Sequence, residues 1–283
     1  MRSMTSHGIP EGVGRTAIGV ARTRAIESSR PDRLFDDPYA AGFVTAAYGE
    51  VPERKPGEVS PGMIAMARNL VVRTRFFDDY LLEAAADGCR QVVVPAAGLD
   101  TRAFRLAWPD GVRFFELDVP EVLAFKERVL AEQGAVAACR RTALAADLRE
   151  DWSAVLSGAG FDPAARSVWL VEGLLIYFDS DEAAQLLTTV GELSAPGSRL
   201  ALTHGPGRRD RDLLSGDEVA PELAPVAALW RGGLDEDPVT WLARDGWRAA
   251  RHDRAAAAAS YGRPNYVSPQ ARFVTAERTR EGA

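Results

Sequence analysis

The sequence predicts an open α/β fold built on a mainly parallel, doubly wound sheet, and three observations carry that expectation. Short strand-like runs alternate with helical stretches through the middle of the chain, which is the signature of parallel strands with helical crossovers. The first such run, Gln91 to Pro95, is continuous and β-branched, as befits a strand buried on both faces. Two last runs, Trp247 to His252 and Arg272 to Thr275, are joined by turn residues Gly262-Arg263-Pro264-Asn265 and read as an antiparallel hairpin at one edge of the sheet.

Taken in order, Thr16 to Glu27 and Tyr39 to Ala47 read as short helices, the second following Asp37-Pro38. A longer helix is expected from Met63 to Ala86, where Ile64, Ala67, Leu70, Val71, Thr74, Phe77, Leu81 and Ala84 recur at helical spacing and Gly88 provides the stop. Beyond Gln91 to Pro95, strands are expected at Arg113 to Leu117, Thr142 to Ala146, Val168 to Val171 and Leu200 to Thr203. Helices are expected at Pro120 to Glu132, Asp151 to Leu156, Ser180 to Ser194 and Pro238 to Arg244, and the five alanines Ala255 to Ala259 suggest no more than a helix turn or a loop.

With 283 residues, 46% of them hydrophobic and 26% charged, the chain has the composition of an ordinary globular protein. A net charge of −6 argues against a nucleic-acid partner, whose footprint is a basic excess. No run of about 18 apolar residues is present to span a bilayer, and Met1 to Pro10 lack the apolar core of a signal peptide. No membrane association and a cytoplasmic location are therefore expected. The two cysteines, Cys89 and Cys139, form no disulfide framework, and no Cys/His spacing resembles a metal site.

In an open α/β sheet the ligand lies beyond the carboxyl ends of the strands. The loop after the first strand, Ala96-Ala97-Gly98-Leu99-Asp100-Thr101-Arg102, has small residues where a ligand must approach the backbone. The second strand ends Glu116-Leu117-Asp118, and Asp118 follows Gly98 at the interval where an acid holds a ribose hydroxyl pair. The third strand leads to Asp147-Leu148, with an acceptor suited to an adenine amino group, and the fourth to Glu172-Gly173. A nicotinamide-type loop is poorly matched, because Ala96, Gly98 and Thr101 fill the glycine slots of G-x-G-x-x-G. Asp100 would sit badly against a pyrophosphate but suits a ligand with a positive sulfonium and an amino group.

Several segments, in this order, resemble the leucine carboxyl methyltransferase family and its bacterial branch of S-adenosylmethionine-dependent O-methyltransferases. They are Thr16 to Glu27, Phe35-Asp36-Asp37-Pro38-Tyr39, Arg73-Thr74-Arg75-Phe76-Phe77-Asp78, Ala97 to Arg102, Phe115 to Pro120, Glu172 to Tyr177 and Pro196-Gly197-Ser198, with a weaker echo at Asp237 to Trp247. The resemblance implies a class I methyltransferase (Rossmann-like) fold, a mainly parallel seven-stranded sheet with a C-terminal antiparallel hairpin and an N-terminal helical cap. It implies S-adenosyl-L-methionine as cofactor, with Arg73 on the methionine carboxylate, Gly98 and Asp100 along the methionine portion, Asp118 on the ribose, and Asp147 and Leu148 around the adenine. Ala96, Ala97, Thr101, Arg102, Glu116, Leu117 and Gly173 complete the expected cofactor shell, and Arg22 on the first helix matches a basic residue placed near the cofactor. The sequence departs from the family pattern at Ala96, where many members have glycine, and at the less usual Pro95.

The whole chain, 1–283, is read as one methyltransferase domain: a helical cap (1–88), a cofactor-binding core (89–204), a substrate lid (205–237) and a C-terminal helix and hairpin (238–283). The expected reaction is O-methylation of a carboxylate on a small natural product or a peptide. Glu172, which the resemblance places near the cofactor's amino group and the reacting methyl and so also in the cofactor shell, Tyr177 and His204 are the candidate catalytic residues. A carboxylate needs no base, whereas a phenol, with a pKa near ~10, would use His204, which directly follows the fifth strand. A phenolic acceptor and a non-catalytic cofactor-binding protein are the alternatives. His7 is expected to be inert, and His252 to be exposed near the end of an edge strand. The acceptor is expected between the N-terminal helices and the lid, whose Leu213, Leu214, Leu229, Trp230 and Leu234 would form an apolar wall. The protein is expected to be a monomer or homodimer.

Overall fold

The computed structural model describes residues 13–49, 60–204, 227–265 and 272–279. Helices α1 (Val13–Ser28), α2 (Ala40–Tyr48) and α3 (Pro61–Ala86) precede the first strand. The alternating core follows as β1 (Gln91–Pro95), α4 (Arg102–Arg105), β2 (Arg113–Asp118), α5 (Pro120–Glu132), β3 (Arg140–Ala145), α6 (Trp152–Gly158), β4 (Ser167–Val171), α7 (Ser180–Glu192) and β5 (Arg199–His204). A 3-10 turn at Leu175–Tyr177 lies between β4 and α7. The chain then forms α8 (Pro238–Arg244), β6 (Trp247–His252), α9 (Arg254–Ser260) and β7 (Arg272–Arg278).

The seven strands form one sheet in the order β3-β2-β1-β4-β5-β7-β6. β1 to β5 are parallel, and β7 runs antiparallel between β5 and β6. The strand order reverses between β1 and β4, and this switch point opens a crevice at their carboxyl ends. Alternation along β1 explains the two-sided burial: Val92 and Val94 pack with Phe77 and Leu81 of α3, whereas Val93 packs with Trp169 and the α7 residues Leu186 and Leu187. A third cluster joins Ile18 and Ala21 of α1, Phe43 and Val44 of α2, and Phe125 and Val129 of α5 over Leu99.

Local chemistry sets the ends of the elements. Ser60 caps α3 by accepting from the Met63 N–H, Pro61 opens it, and Asp237 caps α8 by accepting from the Thr240 N–H. Asp179 and Glu182 form a capping box on α7. Several features differ from the sequence expectation. Ala255 to Ala259 lie in a formed helix, α9, which Asp253 caps through two backbone N–H groups. The described part of the link between β6 and β7, up to residue 265, is therefore a helix followed by turns. α4 and the 3-10 turn were not anticipated, and β3 begins at Arg140 and ends at Ala145.

Cys89 is buried, Cys139 is half-buried, and neither is in a disulfide. Burial raises both thiols, Cys139 to about 12, so neither is a ready nucleophile. No helix among the described residues is long and apolar enough to cross a membrane.

Candidate active site

The loop after β1 is held from three sides. The Ala97 N–H donates to the Leu117 carbonyl (3.0 Å), and the Gly98 N–H donates to Asp118 Oδ2 (2.6 Å). Gly98 has φ +52°, and a Cβ there would lie 3.4 Å from Ala17 Cβ of α1, so the position is both left-handed and closely covered. Ala96 is also left-handed (φ +50°), alone among the described non-glycine residues. That conformation costs an L-residue about 1–2 kcal/mol, against ~0.5–1 kcal/mol of extra chain entropy for glycine. Ala96→Gly is thus expected to raise stability by roughly 0.5–1 kcal/mol. Urea denaturation measures this, and a loss would show that packing of the Ala96 methyl outweighs the strain.

Beneath the loop lies a chain of ion pairs. Arg73 Nε donates to Glu172 Oε1 (2.6 Å), and Arg102 Nη1 donates to Glu172 Oε2 (2.8 Å) and also bonds Asp100. Arg102 Nε donates to Asp78 Oδ1 (2.7 Å), and Arg105 grips the same Asp78 carboxylate with both Nη atoms (2.7 Å each). Three guanidiniums and three carboxylates thus balance between α3, α4, the β1 loop and the tip of β4. Arg24 of α1 adds a second anchor, donating to the Leu99 carbonyl and pairing with Asp37 (3.0 Å), which also accepts from the Thr101 hydroxyl (2.7 Å).

This arrangement fixes the charges. Burial pushes the Asp100 carboxyl up, but the Arg102 guanidinium, aided by Lys126 and Arg24, outweighs it and holds Asp100 well below the usual carboxylate range. Burial likewise opposes ionisation of Glu172, and Arg102 and then Arg73 overcome it. Both folded-state pKa values lie below their unfolded values. Their contribution to stability is therefore complete above ~pH 4, where unfolded carboxylates titrate, and disappears as pH falls through the depressed folded values. Denaturation at a series of pH values should show stability falling steeply only below ~pH 4; an equal fall between pH ~7 and ~5 would contradict the assignment.

Asp118, at the end of β2, is half-buried, and burial raises its pKa despite the bonds from the Gly98 and Val119 N–H groups. Those two bonds (2.6 and 2.8 Å) use one acceptor site on each oxygen. A carboxylate has about four acceptor sites, so two remain for a ligand. At β4, Gly173 has φ +64°, and a Cβ there would come within 3.4 Å of Arg73 Nη1. The absent side chain makes room for the Arg73 fork above the switch point.

The expected shell separates into residues that face the crevice edge and residues that support it. Asp118, Gly98, Arg73, Glu172 and Gly173 converge at the carboxyl ends of β1, β2 and β4. Thr101 and Arg102 are 0% and 2% exposed, with their polar atoms taken up internally, so they brace the loop. Asp100 is 6% exposed and committed to Arg102, so its carboxylate also serves the loop first. Glu116 is fully buried and paired with Lys126 (2.6 Å) and Arg141 (2.8 Å), so its carboxylate is turned to α5 and β3 and not to the crevice. Leu117 is buried in the core. Asp147 is exposed, accepts from the Arg149 N–H (3.0 Å), and caps no helix; Asp151 caps α6. Leu148 is half-buried beside it.

Arg22 is half-buried on α1, and Arg24, two residues further on, donates to the Leu99 carbonyl of the loop. Its spacing from Ile18 and Ala21 places it on their buried face, a signal the sequence did contain. Tyr177 lies in the 3-10 turn, whose Ile176 carbonyl accepts from the Arg231 and Gly232 N–H groups. His204 is half-buried at the end of β5. His252 is not exposed: its ring bonds Thr275 Oγ1 (2.7 Å) and packs on Phe76. Leu234 is 2% exposed and belongs to the main core, so it forms no acceptor wall. His7, Leu213 and Leu214 lie outside the described residues, as does most of the expected lid.

A seven-stranded sheet in this order, with one antiparallel strand inserted next to the last and acids gathered at the switch point, defines a class I methyltransferase fold. A solved structure from Streptomyces avermitilis, described as a DUF574 family protein, covers 91% of this chain and 96% of its own at TM-score 0.58 and 17% identity. A Thermobifida fusca structure described as a "putative methyltransferase" covers 92% and 94% at TM-score 0.53 and 17% identity. The model of the leucine carboxyl methyltransferase family matches residues 17–191. A Frankia alni protein named "putative S-adenosyl-L-methionine-dependent methyltransferase" is 51% identical over 90% of this chain and 91% of its own length. A Streptomyces coelicolor protein of the same description is 46% identical over 92% of each. The chain belongs to the leucine carboxyl methyltransferase family.

Proposed function

We propose that this protein is an S-adenosyl-L-methionine-dependent O-methyltransferase acting on a carboxylate of a small molecule or peptide. The names of its relatives support the cofactor, and the residues present fit it. Gly98 lacks the side chain that would obstruct the loop, and Asp118 retains acceptor capacity for two ribose hydroxyls. The Arg73 fork lies over Gly173 with its Nε already on Glu172, so its Nη atoms suit the methionine carboxylate. Asp147 and Leu148 would flank the adenine at the next strand end. When bound, the cofactor supplies an electrophilic methyl group on a sulfonium, a good leaving group.

The protein's own contribution is to orient and to exclude water, the proximity term. Glu172 holds Arg73 in place and, because two guanidiniums stabilise its ionised form, is a poor proton acceptor. That observation carries the choice of acceptor, because a carboxylate is already ionised at neutral pH and asks nothing of Glu172. His204 at the end of β5 supports the alternative, a phenol deprotonated by the imidazole. Transfer of tritiated methyl from S-adenosyl-L-methionine onto a panel of acids and phenols separates these readings. Base-labile label on the acids is expected. Base-stable label on phenols, lost in His204→Ala, would replace the carboxyl reading, and cofactor binding with no transfer would favour a non-catalytic protein.

A further inference from the structure

Behind the crevice wall, two fully buried ions stand close to Asp118. Lys126 and Glu116 are each 0% exposed, and the Lys126 Nζ donates to Glu116 Oε2 (2.6 Å). Chain geometry sets this pair beside the strand end. Glu116 and Asp118 alternate onto the same face of β2, with Cβ atoms roughly 7 Å apart. α5 starts at Pro120, and six residues of helix, about 9 Å, carry the chain back alongside β2 to Lys126. A helical side chain leans toward the N-terminus of its own helix, which here is the Asp118 end.

The pair is a poor device for stability alone. Arg141 of β3 donates to the same Glu116 Oε2 (2.8 Å), whereas Oε1 is buried with no hydrogen-bond partner among the described residues. An unmet buried oxygen costs free energy, and a buried ion pair is often no more stable than apolar residues of the same volume. What the arrangement does supply is a cation beside two carboxylates. Arg141 shares the charge of Glu116, which leaves Lys126 attraction for Asp118 and Asp100. The charged groups around Asp118 are Glu116 on its own strand, Lys126 on α5 and, along the β1 loop, Asp100, which Arg102 and Arg24 also attract. Burial opposes the ionised form of Asp118, Lys126 favours it, and Glu116 opposes it.

Resting on the reading of Asp118 as the ribose acid, we propose that Lys126 is a positioning residue for the cofactor, its buried ammonium keeping Asp118 as the charged acceptor that two ribose hydroxyls require. Lys126 acts from behind the strand and touches neither cofactor nor acceptor. Glu116 fixes the ammonium, and Arg141 fixes Glu116, so contacts from β3 and α5 meet behind the ribose acid. Asp118 then meets the ribose already ionised, with both oxygens able to accept.

The test is calorimetric titration of the full chain with S-adenosylhomocysteine over a series of pH values. The quantity read is the midpoint of the acid-side loss of affinity that Asp118→Asn removes. Lys126→Met is expected to move that midpoint up by about one pH unit, and Glu116→Gln to move it down. Opposite shifts separate an electrostatic role from a structural one, because damage to the fold would weaken binding in both variants at every pH. The proposal is overturned if Lys126→Met leaves the midpoint in place, if both variants move it in one direction, or if either shift persists when Asp118→Asn is added. If Lys126→Met does not fold, Glu116→Gln decides alone: the midpoint must fall. Failure of the underlying reading is seen separately, as no binding of S-adenosylhomocysteine to wild type or as binding that Asp118→Asn leaves unchanged.

Discussion

Arg102→Met is expected to destabilise the protein by about 3–5 kcal/mol, the cost of breaking a buried ion pair and leaving its partner charges uncompensated. Arg102 is 2% exposed and serves Asp78, Asp100 and Glu172 at once. Methionine fills similar volume but offers none of the donors. Two of the three acids keep another cation, Asp78 through Arg105 and Glu172 through Arg73, while Asp100 loses its main one. The loss should be partly recovered in the double variant Arg102→Met, Asp100→Asn, because the stranded charge is then removed. Urea denaturation of both variants checks this. A loss under ~1 kcal/mol for the single variant would place the network with ordinary surface pairs.

Asp118→Asn is expected to weaken S-adenosylhomocysteine binding roughly 10–100-fold, equivalent to losing about 1.5–3 kcal/mol from hydrogen bonds to a charged acceptor. The amide keeps the shape and one acceptor oxygen, so the Gly98 bond can survive while capacity for two hydroxyls is lost. Because burial raises the Asp118 pKa, binding should also weaken with acid at a pH above the ~3.9 of an ordinary aspartate. This pH response should vanish in Asp118→Asn. Calorimetric titration gives both results, and unchanged affinity in the variant would remove Asp118 from the ribose site.

The sheet was legible wherever local chemistry and burial agree. Gln91 to Pro95 reads as a strand because a β-branched run buried on both faces has little alternative. Pro120 and Asp237-Pro238 mark helix starts by fixed backbone chemistry. α4 was not legible, because four residues carry no period and Arg102 and Arg105 are positioned by Asp78, far away in sequence. α9 was under-read because a run of alanines has no polar face, and its cap at Asp253 is the only local signal.

In the site, the strand-end positions of Asp118, Asp147 and Glu172 followed from the strand pattern, but the partners did not. Arg73 and Glu172 are 99 residues apart, and Arg102 and Glu172 are 70 apart. No spacing rule joins them; only the closure of α3 over the switch point does. Glu116 illustrates the converse. It stands two residues before Asp118 on the same strand, yet Lys126 of α5 claims it, so nearness in sequence did not turn its carboxylate to the crevice.

The central claim is that the crevice at the β1–β4 switch point holds S-adenosyl-L-methionine through Asp118, Gly98 and Arg73. A crystal structure with S-adenosylhomocysteine tests it most directly. Both ribose hydroxyls should donate to Asp118, and the amino-acid carboxylate should lie on the Arg73 fork with Arg102 still bridging Asp100 and Glu172. A ligand seated elsewhere, or a ribose with no bond to Asp118, would contradict the account.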